Sequence, residues 1–365
     1  MSTRAIRFTL RLCLLGTVGL IACASVMGQE GNSLPDAPAP QTATHYFMVP
    51  HSSQIVQEVV SDKEGGSQAP AAGDDAVVTM FPHPEAARWW LSGQANIILQ
   101  GRLPFHSPYE GPNSFRNSAE YKVSMVGTLY SAVRPIRSVR YNTDLIFDME
   151  AAGGRGLSEA LGLAGFTNLD VVRNPNLGST PYIARYQIHQ VIGLTDRTTS
   201  QEPNFFALAP EVPERRIEFR IGKMTLPDFF DINEGASDSH LQFMNWTVDN
   251  NGAWDYAADT RGYTVGGMAE YDDKNWSLRY GIFAMPTVAN GIDLDWAFSR
   301  AHGQNGELEL RRSVLKGREG ITRILFFANR AHMGVYREAV DAYLAGVDPT
   351  PTITNHAHFG ALKYG

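Results

Sequence analysis

The stretch that decides the fold is Val139-Arg140-Tyr141-Asn142-Thr143-Asp144-Leu145-Ile146-Phe147-Asp148-Met149-Glu150. Its odd positions are Val139, Tyr141, Thr143, Leu145, Phe147 and Met149. Its even positions are Arg140, Asn142, Asp144, Ile146, Asp148 and Glu150, and only Ile146 interrupts the polar row. Successive side chains of a strand point to opposite faces, so this pattern predicts a strand with one apolar and one charged face. The same period recurs outward along the chain. Leu91, Gly93, Ala95, Ile97 and Leu99 form one apolar row, and Tyr121, Val123, Met125, Gly127 and Leu129 another. Further rows run through Tyr182, Ala184, Tyr186 and Ile188, through Ile217, Phe219 and Ile221, and through Trp276, Leu278, Tyr280 and Ile282.

Several of these runs reach about 9 to 12 residues, the length of a tilted strand crossing a bilayer. Aromatics stand near the expected strand ends, at Trp89, Trp90, Tyr121, Tyr130, Tyr182 and Trp276, where an interfacial girdle would place them. The turn Asp272-Asp273-Lys274-Asn275 is tight, whereas Ala151 to Thr180 and Met224 to Arg261 are long. Short turns at one end and long loops at the other suit an outer-membrane barrel. A soluble sandwich also alternates, but with shorter strands and without arginines and carboxylates crowded on one face. The expected fold is therefore all-β, an antiparallel outer-membrane β-barrel with about nine or ten strands present. Two short helices, Leu157 to Leu163 and Tyr336 to Leu344, are expected in its loops, the second bounded by Gly334 and Gly346.

Arg4, Arg7 and Arg11 precede the uncharged, mostly apolar run Leu12 to Met27, which reads as a secretory signal over residues 1–28 with cleavage after Gly28. Lipidation at Cys23, in Leu20-Ile21-Ala22-Cys23, is the competing processing route. Both cysteines, Cys13 and Cys23, lie in this segment, so a disulfide scaffold is excluded downstream of it. Cleavage removes three arginines and takes the net charge from −7 to −10, which argues against non-specific nucleic-acid binding. Residues 29–87, rich in Pro, Ala, Ser, Gly, Asp and Gln, read as a flexible leader, and residues 88–365 as the barrel domain.

One block is distinctive: Gly222-Lys223-Met224-Thr225-Leu226-Pro227-Asp228-Phe229-Phe230-Asp231-Ile232-Asn233, then Gln242-Phe243-Met244-Asn245-Trp246, then Asn251 to Tyr263. It resembles the signature region of the carbohydrate-selective porins of the OprB type. Ser107 to Ser114, and more loosely Gly153 to Phe166 and Arg300 to Gly303, are also similar, so that the resemblance spans residues 89 to 365. It implies a barrel of about sixteen strands in the bacterial outer membrane that lets sugars diffuse inward. His356 to Gly365 reads as the opening of another strand, so the sequence is expected to be a truncated one.

Sugars are dense in hydroxyls and apolar on their ring faces, and weak binding calls for charged hydrogen-bonding groups beside flat aromatics. Asp228, Asp231, Asn245, Asp255, Asp259 and Arg261 supply the former, and Trp246 and Trp254 the latter. Arg140, Asp144, Arg185, Glu218 and Arg220 are expected to face the lumen and oppose charges across a constriction. Alternative roles stay open. Asp228 and Asp231 could cap a turn, Trp246 and Trp254 could pack or join the girdle, and Asp259 could pair with Arg261. The sequence contains no Gly-x-Ser-x-Gly, His-Glu-x-x-His or phosphate-loop motif. His356 and His358 could share a strand face and bind metal. The expectation is no enzyme, no cofactor and no metal, with mono- or oligosaccharides and outer-membrane lipid as partners. A homo-oligomer is compatible with this. The rivals are a secreted carbohydrate-active enzyme on a soluble β scaffold, with an acid/base pair among Asp228, Asp231 and Asp255, and a barrel that only anchors.

Overall fold

Ten antiparallel strands follow one another as neighbours in a single sheet of a computed structural model. It describes residues 83, 87–108, 110, 114–160, 179–233, 250–315 and 318–365. The signal, the lipidation route and most of the leader lie outside the described residues, as do Asn245 and Trp246.

In chain order the strands are β1 (Trp89–Arg102), β2 (Glu120–Arg137), β3 (Tyr141–Gly154), β4 (Tyr182–Gly193), β5 (Thr198–Ser200), β6 (Glu211–Pro213), β7 (Arg216–Met224), β8 (Thr264–Asp273), β9 (Trp276–Ala284), β10 (His302–Leu315), β11 (Arg318–Gly334) and β12 (Ala357–Tyr364). β5 and β6 form a separate two-stranded hairpin inside the β4–β7 connection, and β4 pairs directly with β7. Sequential antiparallel pairing needs no crossover, which is why tight turns suffice at one end: Ser138 to Arg140, Lys274–Asn275 and the β10–β11 turn. The long connections β1–β2, β3–β4, β7–β8, β9–β10 and β11–β12 stand at the other end. The β4–β7 connection is long yet leaves from the tight-turn end.

The alternation holds in three dimensions, with the usual polarity of a protein reversed. On β3, Leu145 and Phe147 are 40% and 42% exposed, while Asp144 and Asp148 are fully buried. Ile97, Leu99, Ile188, Ile221, Leu278, Tyr280 and Ile324 likewise face outward and stay exposed. Ser92, Thr128, Gln187, Glu218, Arg279, Glu307 and Asn329 face inward and are buried.

Three of the six expected girdle aromatics, Trp89, Tyr121 and Trp276, are exposed on the outer face. The other three turn inward. Trp90 and Tyr130 occupy even positions, on the polar row. The Trp90 indole donates to Ser92 Oγ at 2.7 Å, and Tyr130 stacks on Phe205. Tyr182 turns inward because the β3–β4 register shifts at Asp148/Met149, where Arg185 and Ile183 are the partners. Ala184 and Arg185 are therefore both buried, and Ile183, not Tyr182, faces out.

Of the first expected loop helix, residues 161–163 lie outside the described residues. A 3-10 turn covers Leu157–Ala160, and α1 spans Tyr336–Leu344. Gly346 has φ 73°, and its N–H donates to Tyr343 O at 3.0 Å, an ending that suits glycine. Ala339 is buried, whereas Tyr336, Val340, Tyr343 and Leu344 are exposed. No helix among the described residues is long and apolar enough to cross a membrane.

Candidate functional site

The inner face carries a ladder of opposed charges, and strand register builds it. Arg279 of β9 lies directly across from Glu270 of β8 and Glu307 of β10. Its guanidinium reaches Glu270 and Glu307 at 2.8 Å each and Glu309 at 3.5 Å. Glu309 lies opposite Arg323 of β11 and pairs with it at 2.8 Å. Arg216 of β7 lies opposite Asp272 of β8 and binds it and Glu218 at 2.5 Å each. His189 of β4 sits between Asp144 at 3.3 Å and Glu218 at 2.8 Å. Arg185 forms a two-pronged pair with Asp228, at 2.7 and 2.8 Å, and lies 3.7 Å from Asp148. Such fork-shaped pairs fix orientation as well as charge.

Two connections fold onto this face from opposite ends. From the tight-turn end, the β4–β7 connection lays Phe205, Phe206 and Leu208 against Trp90, Ala132 and Ile146. From the other end, the β7–β8 connection lays Leu226, Phe230 and Trp254 against Met268, Phe283 and Phe327. They meet where Phe206 packs edge-on against Phe229, ring centres 5.6 Å apart. Between them lies a small cavity lined by His189, Glu218, Arg220, Asp228, Glu270 and Arg279 together with Phe206 and Phe229. Arg185 lies over the Phe206 ring and Arg220 over the Phe229 ring, at 5.4 and 4.6 Å. Charged hydrogen-bonding groups and flat aromatic faces thus share one small space. Several inner-face atoms are buried without a hydrogen-bond partner in the protein, among them Asp144 Oδ1, Asp148 Oδ2, both Gln187 amide atoms and Asn305 Nδ2. Buried polar atoms of this kind are ordinarily satisfied by ordered water.

The residues expected from sequence separate into those on this face and those off it. Asp144, Arg185, Glu218, Arg220 and Asp228 converge as described. Arg140 lies off this face. It occupies the tight turn between β2 and β3, is exposed, and pairs with Asp196 at 2.9 Å. The even-position row of the sequence runs through Arg140, but β3 begins only at Tyr141. Asp228 is a partner of Arg185, not merely a turn cap. Asp231 adopts φ 57°; its N–H donates to Glu307 Oε2 at 2.7 Å and its carboxylate accepts from Asn251 N–H. Burial pushes the Asp231 carboxyl above its ordinary value.

Trp254 is buried, and its indole donates to Asn305 Oδ1 at 2.8 Å, so it packs on the inner face and is no girdle residue. Asp255 is half-exposed and pairs with Lys363 at 3.0 Å. Asp259 caps its own loop, accepting from Arg261 and Tyr263 N–H at 2.8 and 3.1 Å, and burial raises its carboxyl as well. Arg261 lies 3.9 Å over the Tyr182 ring. His356 and His358 engage Asp348 and Glu338 respectively.

Sequence reasoning missed His189, Arg216, Glu270, Arg279, Glu307 and Glu309 as members of the site. The signal was present: Glu307-Leu308-Glu309-Leu310-Arg311 carries the same two-residue period as the opening stretch. Among the described residues, no group of three or more His, Cys, Asp or Glu is placed to hold a metal ion. No family model, no curated protein and no solved structure matches the chain.

Proposed function

We propose that the chain forms the wall of a pore in the bacterial outer membrane and admits sugars passively, without a chemical step or a cofactor. The observation that carries this reading is the reversed polarity of the sheet: large apolar side chains exposed outside, ion pairs buried inside. In water such an exterior is unfavourable by about 25 cal/mol per Å² of exposed apolar surface, a penalty that lipid contact removes. In hydrocarbon every backbone group needs a partner, so the reading requires the β1 and β12 edges to be paired and the sheet to be closed in the membrane.

Carbohydrate selectivity rests on the resemblance to the OprB-type porins and on the chemistry beside Phe206 and Phe229. Guanidinium and carboxylate groups there can exchange hydrogen bonds with hydroxyls while rings take the apolar sugar face, each contact weak enough to permit exit. The test has two stages. Fractionation should recover the full chain in the outer membrane; recovery in the soluble fraction would favour a secreted enzyme. In planar bilayers it should then conduct, and added sugar should reduce the current. Membrane recovery without conductance would leave an anchor, and conductance indifferent to sugars would leave a general porin.

A further inference from the structure

The β4–β7 connection differs from its neighbours. It leaves from the end of tight turns, and its apex, Pro203-Asn204-Phe205-Phe206-Ala207-Leu208-Ala209-Pro210, contains no charge. Yet charged side chains of the sheet hold its backbone. It is not loosely draped there. Asn204 Oδ1 accepts from Phe206 and Ala207 N–H at 2.8 and 3.2 Å, closing the apex on itself. Arg220 donates to Phe206 O at 3.1 Å, Arg134 donates to Leu208 O at 3.3 Å, and Leu208 N–H donates to Asp144 at 3.3 Å. The backbone of an apolar segment is thus held by charged side chains of β2, β3 and β7. Phe205, Phe206 and Leu208 are all buried.

We infer that Pro203 to Pro210 is a fixed apolar constriction, projecting inward from the tight-turn end and setting the size limit for solutes at the level where Phe206 meets Phe229. This rests on the pore reading above. A rigidly held segment seated on the apolar patch of Trp90, Ala132 and Ile146 narrows a wet passage, which makes it a size-selecting element distinct from the charges beside it. Ala207 borders the small cavity at this level, so a group added there would project into the passage.

The experiment uses the full chain in planar bilayers and in liposomes swelling in sugars of graded size. Replacing Pro203 to Pro210 by a short Gly-Ser link should raise single-channel conductance about threefold or more and let trisaccharides enter nearly as fast as monosaccharides. Phe206→Ala should move both readouts in the same direction by less. Ala207→Cys keeps the backbone, and coupling a bulky thiosulfonate to it should cut the current by roughly half or more. Ser200→Cys, exposed at the base of the same connection, and the unsubstituted chain should not respond. If the shortened chain does not integrate, the Phe206 and Ala207 variants decide. Conductance and size discrimination equal to those of the unsubstituted chain, with no block at Ala207→Cys, would overturn the constriction while leaving a pore. Chains that integrate but pass neither ions nor sugars would overturn the pore and the constriction with it.

Discussion

The two faces of β3 meet opposite fates. Leu145, Phe147 and Met149 stay exposed, while Asp144, Asp148 and Glu150, their immediate neighbours in sequence, are buried. A domain folding in water exchanges these two sets, since removing apolar surface from water is its main source of stability. On the proposed reading the outer face makes that gain against lipid, and the inner face must hold together by other means. Isolated exposed ion pairs contribute little, and buried ones offset most of their attraction by desolvation. The inner ladder is therefore best understood as mutual insurance: each charge makes the burial of its neighbours tolerable. Such an arrangement adds little when complete and costs a great deal when one member is lost.

Arg279 is where that asymmetry is greatest. Its guanidinium serves Glu270, Glu307 and Glu309 and donates to Phe229 O at 2.9 Å, tying the β7–β8 connection to the sheet. Arg279→Met should cost about 3–5 kcal/mol, the penalty for stranding buried carboxylates. The measurement is denaturant unfolding from lipid vesicles. Adding Glu270→Gln and Glu307→Gln should restore most of the loss. A loss below about 1 kcal/mol would mean that the inner charges are hydrated like surface pairs, and the contrast between the faces would be weaker than drawn.

The outer face is tested by the reverse substitution. Phe147→Arg places a charge mid-strand on the exposed row. In a bilayer it should cost about 2–4 kcal/mol. On a water-facing surface the change would stay within about 0.5 kcal/mol. Comparing unfolding of this variant and the unsubstituted chain in vesicles separates the two outcomes, and a negligible effect in lipid would break the assignment of that face.

A backbone change should be blind to the faces and so calibrates both. Gly222, third from last in β7, has φ 140°, and a Cβ there would lie 2.1 Å from Tyr186 O and 2.8 Å from Gln187 Cα. Neither atom belongs to a side chain that can swing away. Gly222→Ala should cost about 1–3 kcal/mol whatever surrounds the sheet. Equal losses in micelles and in vesicles are the expected result, and a loss confined to vesicles would show that lipid contacts, not local strain, dominate at this site.

The strands and the identity of their two faces were legible because a period of two is a local property: Leu145 and Asp148 announce their faces without reference to any other strand. What depended on distant partners was not. The bulge that turns Tyr182 inward arises from the fit of β4 to β3, and nothing in Tyr182 to His189 marks it. The pairing of Arg279 with Glu270 and Glu307 needs the registers of three strands at once. The inward course of Pro203 to Pro210 was hidden for a further reason. Its composition suits an ordinary loop, and its place comes from distant partners: the apolar patch under its rings and the charged side chains that hold its backbone. Arg140 shows the opposite error, where an alternating row was followed one residue past the start of the strand.

The smallest expected effect lies off the sheet, at Asp259, and asks whether loop carboxylates share the character of the inner ladder. Asp259 is buried and accepts two backbone N–H groups, yet burial outweighs them and raises its carboxyl above the ordinary value. The folded chain therefore holds this proton more tightly than the unfolded chain does. Stability falls as pH rises from the unfolded value, about 3.9, through the raised folded value, and is flat above it. Asn at this position keeps an oxygen for both N–H groups and removes the titration. Asp259→Asn should stay within about 1 kcal/mol of the unsubstituted chain at every pH. Its advantage should grow as pH rises through that window, read as the difference in denaturant midpoints between about pH 4 and pH 8. A difference that instead shrinks with rising pH would mean the ionised form is the better held one, as it would be if Asp259 were clasped by a cation in the way Arg185 clasps Asp228.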